Sequence, residues 1–77
     1  DATEAWHSLE EEYRRIADKV MQTKESQSIV KTAPDKELII HFMPLFEEGS
    51  YKIIGVMQAT VKFPYQPGQV AVSLRTN

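Results

Sequence analysis

The sequence predicts an α+β fold in which one N-terminal amphipathic helix packs on a three- to four-stranded antiparallel β-meander. Three observations carry this. Apolar residues recur three and four apart between residues 2 and 22, they alternate with polar ones from Ser50 to Phe63, and turn-forming clusters separate the remaining apolar runs. A period near 3.6 gathers side chains on one stripe of a helix, and a period of two sends them to one side of a strand.

Trp6, Leu9, Tyr13, Ile16 and Val20 form the helical stripe, with Glu10, Glu11, Arg14, Arg15 and Asp18 around it. Such a helix can cover one face of a sheet. Asp1, with Glu4 three residues on, has the form of a capping box. Glu10 with Arg14 and Glu11 with Arg15 are helical (i, i+4) pairs in the favourable order. The stripe also fits an a/d heptad, but aromatic Trp6 and Tyr13 at the a positions suit a globular core better than a two-stranded seam. The polar stretch from Thr23 to Gln27 suits a helix exit.

Residues 28–32 read as a first short strand, joined by Pro34-Asp35 turn chemistry to a second at 37–45. In that second strand Leu38, Ile40 and Phe42 share one face and Ile39, His41 and Met43 the other, so both faces carry apolar groups. Pro44 lacks a backbone donor and belongs at the end of the strand or on an unpaired edge. Phe46 to Ser50 form the next turn, with Gly49 available for a positive φ.

The strand at 50–63 is the organising one. Its odd-numbered side, from Tyr51 to Phe63, is expected to meet the helix, and Gly55 marks a bend or bulge. Pro64 to Gly68 close it, and the strand at 69–75 puts Val70, Val72 and Leu74 on one side.

At 77 residues the chain makes one domain near the lower size limit for a self-sufficient core, so contact with a partner or with itself would add useful burial. The net charge of −2 and the scattered Lys and Arg speak against nucleic-acid binding, which needs a concentrated basic patch. The absence of cysteine excludes disulfides and thiol chemistry and leaves the compartment open. No apolar run approaches the ~20 residues of a membrane span. Beginning at Asp1 without a methionine, the sequence is expected to be a processed mature chain or a piece of a longer protein.

Catalysis finds little footing. His7 and His41 sit on different elements with no metal-ligand spacing, so no metal and no cofactor are expected. The serines lack a nucleophile motif, and Glu10-Glu11-Glu12 and Glu47-Glu48 read as a solvated helix face and a loop tip. The chain is therefore expected not to be an enzyme.

Binding is better supported. Phe46 beside Glu47 and Tyr65 beside Gln66 place aromatics at turns, the kind of anchor that dominates many protein interfaces. The last strand, with Val70 and Val72, carries no proline or inward charge to protect its edge before Arg75, so a partner strand or a second copy could add there. The expected function is thus protein interaction or assembly through a sheet edge or loop-tip aromatics. The alternative is a small-ligand carrier with an apolar cavity between the helix and a curved sheet.

The stretch from Tyr51 to Leu74, about a third of the chain, resembles RWD and ubiquitin-conjugating-enzyme-like domains, in which a helix precedes a meander and a strand with an "FP…YP…P" ending leads into the last strand, as VKFPYQPGQVAV does at residues 61–72. Without a cysteine, what the resemblance implies is a non-catalytic interaction role. The element order is also similar to cystatin-like folds and to the soluble heads of pilin-like proteins, although no cystatin inhibitory motif is present.

Overall fold

The computed structural model describes the backbone of residues 2–64 and 66–76 and the side chains of residues 9–64 and 66–76. The fold class is the expected one. Helix α1 (Ala2–Thr23) is followed by β1 (Gln27–Ala33), β2 (Lys36–Phe46), β3 (Ile53–Phe63) and β4 (Val70–Arg75). The strands form one antiparallel sheet in the order β1-β2-β3-β4, a simple meander. The proposed capping box at Asp1 lies outside the described residues, as do the side chains of Trp6 and His7.

Local chemistry explains where the elements stop. Lys24 takes a positive φ of 61° and its N–H donates to the Val20 carbonyl at 2.8 Å, a left-handed ending that closes α1. Pro34 and Asp35 alone separate the paired residues Ala33 and Lys36. Ser50, Tyr51 and Lys52, expected to begin the long strand, lie instead in the turn before it. That turn is held by Ser50 N–H to the Glu47 carbonyl at 3.1 Å and Glu47 N–H to the Lys52 carbonyl at 2.8 Å, with Gly49 at φ 78°. Pro44 sits past the last β1–β2 pair, Gln27 with Phe42, where β2 is locally an edge.

The register between β2 and β3 shifts from Leu45–Gly55 to Phe46–Ile53, which leaves Ile54 as the extra residue of a bulge. Gly55 is required next to it. A Cβ there would stand 2.8 Å from the carbonyl oxygen of Arg75, too close for any side chain.

The core lies on one face of the sheet. Ala17, Val20, Ile40, Phe42 and Val56 are enclosed, with Tyr13, Ile16, Met21, Ile29 and Leu38 packed around them. The ring of Tyr13 lies 6.0 Å from that of Phe42 in a tilted arrangement. Cα atoms spread over 43 × 30 × 16 Å, and the short dimension has room for a helix layer and one sheet, which pack about 10 Å apart.

The organising strand is turned over relative to the expectation. Beyond the bulge, the even-numbered side of β3, with Val56 and Gln58, meets α1, and the odd-numbered side faces away. The register gives the physical reason, since it sets Val56 and Gln58 on the side of β2 that carries Leu38, Ile40 and Phe42 and leaves His41 on the other, and the ion pairs follow from it. Glu10 and Glu12 flank the helix stripe, and the cations that reach them, Arg75 and Lys31, lie on the helix-facing side of β4 and β1. Phe63, expected in the core, therefore stands exposed at the end of the uncovered face.

Candidate functional site

Among the described residues strand β4 is hydrogen-bonded to β3 alone, and its other edge has no strand beside it. Strict alternation in VAVSLR sends Ala71, Ser73 and Arg75 to the helix side and Val70, Val72 and Leu74 to the other. Val70, Val72 and Leu74 are all exposed, Val72 to 61%.

Arg75 holds this edge in place. Its Nε donates to Gln58 Oε1 at 2.8 Å, while Nη1 and Nη2 donate to Glu10 Oε1 at 2.7 Å and Oε2 at 3.0 Å. The guanidinium thus makes a bidentate pair across to the helix and satisfies the buried amide of Gln58 on the way. The hydrogen bond from Arg75 holds the Glu10 carboxyl below its ordinary range. Desolvation opposes it, and the charges of Arg75 and Arg14 add to it. At the other edge of the sheet, Lys31 Nζ on β1 lies 2.8 Å from both carboxylate oxygens of Glu12.

The turn residues fall into two groups that the fold keeps apart. Phe46 ends β2 and packs edge-on against Tyr51 with ring centroids 6.1 Å apart, and Glu47 lies exposed beside them. Gln66 lies at the opposite end of β3, exposed, its carbonyl accepting from Gln69 N–H at 3.2 Å. Tyr65 lies outside the described residues. Of the residues singled out from sequence, Gln66 and Val70 are brought near each other, because the β3–β4 turn delivers the chain directly into the edge strand. Phe46 and Glu47 are separated from them by the length of β3.

A groove of about 210 Å³ opens between the second half of α1 and the end of β4, lined by Arg14, Asp18, Met21, Val56, Arg75 and Thr76. Its lining mixes polar and apolar groups about evenly, and its cation Arg75 is already paired with Glu10. His41 lies on the uncovered face, its Nδ1 hydrogen-bonded to Ser28 Oγ. Among the described residues there is no cluster of His, Asp and Glu able to hold a metal, and no helix long and apolar enough to cross a membrane.

Two features escaped sequence reasoning. The bond between Arg75 and Glu10 spans 65 residues and leaves no local signal. The uncovered face did leave one: β2 is apolar on both sides, and a single helix can cover only one. Comparison of the chain with protein-family models, curated proteins and solved structures finds no match.

Proposed function

We propose that the chain is a non-enzymatic protein-interaction module that takes an extended segment of a partner onto the free edge of β4. The observation that carries this is an edge strand with one side unpaired, flanked by exposed Val70 and Val72 and anchored at Arg75 to Gln58 and Glu10. Main-chain hydrogen bonds to such an edge supply affinity, and alternate side chains supply selectivity. Anchoring reduces the ordering cost of binding. The same role is the one implied by the resemblance of residues 51–74. The carrier reading has less support, because Val20, Ile40, Phe42 and Val56 fill the space between helix and sheet.

Adjacent residues in a strand point their N–H groups in opposite directions. Of Val72 and Ser73, one therefore donates toward β3 and the other outward. Peptides selected from a random display library against the immobilised chain are expected to be extended and alternating, and to shift the amide signals of residues 70–75. Proline at the outward position of the pair Val72→Pro and Ser73→Pro is expected to abolish that binding while the fold persists. No enrichment, or binding that survives both prolines, overturns the reading.

A further inference from the structure

The face of the sheet turned away from α1 is uncovered and mostly apolar, with Ser28 and His41, hydrogen-bonded to each other, as the polar pair within it. Register places Val30, Ile39, Val61 and Val70 in one row across all four strands, because residues opposite each other in an antiparallel sheet share a face. The neighbouring row towards the β2–β3 turn carries Ala59 and Val72, and the next brings Met57 against Leu74. Val30 is 57% exposed and Leu74 59%. Among the described residues no helix or strand lies above them, α1 being on the opposite side of the sheet.

We infer that this face packs against the same face of a second copy of the chain, giving a four-layer helix–sheet–sheet–helix dimer. Charge argues for that occupant. The register leaves the face without Lys, Arg or Asp, with Glu37 at one end opposite Phe63 and His41 within it, hydrogen-bonded to Ser28. Two copies can therefore close on each other without desolvating an unpaired central charge. A two-fold axis brings every apolar row onto an equivalent one, as an isologous interface requires. The charged side of α1, with Glu11, Arg14, Arg15 and Asp18, remains outward in water.

Area argues the same way. Two such faces stacked about 10 Å apart would bury on the order of 1,000–1,200 Å² in total, the lower end of specific interfaces. The burial is also needed. A chain of 77 residues is near the lower size limit for a self-sufficient core, and an exposed apolar patch of several hundred Å² is more than a monomer ordinarily tolerates. The inference is independent of the β4-edge reading, since pairing through faces leaves the strand edges free.

Sedimentation equilibrium of the full chain, from low micromolar to several hundred micromolar, tests it. The expected result is a monomer–dimer equilibrium with a dissociation constant in the micromolar range. Val30→Glu, on β1 and far from the β4 edge, is expected to give a monomer throughout with an unchanged far-ultraviolet circular dichroism spectrum. If that variant does not fold, the isosteric Val30→Thr is expected to weaken association roughly tenfold. A wild-type chain that stays monomeric at every concentration overturns the proposal, whether or not the face then takes up another protein or a lipid surface. So does a dimer that Val30→Glu, or in its place Val30→Thr, leaves unchanged.

Discussion

On the helix side of the sheet, Phe42, Ile40 and Val56 are sealed beneath Ala17 and Val20, with Arg75 and Lys31 clamping the helix from either edge. On the other side Val30, Val72 and Leu74 are exposed and half-buried Val61 lies between them, in rows that α1 does not cover. The two faces differ less in hydrophobicity than in what surrounds it. Ion pairs close the margins of the first, whereas the second carries His41 hydrogen-bonded to Ser28 near its middle and Glu37 at one end.

The largest expected effect separates the faces directly. Phe42→Ala removes the largest enclosed side chain and should cost about 3–5 kcal/mol, enough to unfold a domain of this size, whereas Val30→Ala should change the stability of the monomer by no more than about 0.5 kcal/mol. Urea denaturation under dilute conditions checks both, and equal losses would break the contrast. Gly55→Ala comes next. The added Cβ would collide with the Arg75 carbonyl, a backbone atom that cannot swing aside, and about 1–3 kcal/mol of destabilisation is expected with loosened β4 amides in hydrogen exchange.

The smallest effect probes the clamp. Because the pair with Arg75 lowers the Glu10 carboxyl in the folded chain, its contribution is complete above the ordinary carboxylate range and disappears as pH falls through the depressed folded value. Glu10→Gln should remove that part of the acid dependence of stability and cost less than about 1 kcal/mol at neutral pH, since the pair is partly exposed. An unaltered acid limb in Glu10→Gln would show that the clamp does not contribute.

Periodicity made the elements legible. The stripe through Tyr13, Ile16 and Val20 marked the helix, alternation marked β2 to β4, and Pro34-Asp35 and Gly49 marked the turns that are observed. Gly55 was legible as a bulge site for the same reason. Alternation says that a strand has two faces, but not which of them a helix will cover, and so Phe63 and the odd-numbered side of β3 were placed in the core. The choice follows from the register that sets Gln58 opposite Phe42, a pairing between strands that no single strand encodes, and the Arg75–Glu10 and Lys31–Glu12 contacts, 65 and 19 residues apart, are equally without a local pattern. For the candidate site, the free edge at Val70 and Val72 followed from strand order. The separation of Phe46 from Gln66 follows from the length of β3 and the alternating direction of a meander, and residue type alone does not report it.

The Arg75–Glu10 pair also constrains the order of assembly. It joins the first turns of the helix to the last strand, so it can close only after every intervening hairpin has brought the two ends of the chain together. Contacts of such long sequence separation form late, after the local ones have reduced the entropy of loop closure. The β3–β4 hairpin, with Val61 and Val70 paired only nine residues apart, is local and can form early, so what the pair closes last is the contact of the helix with the edge strand.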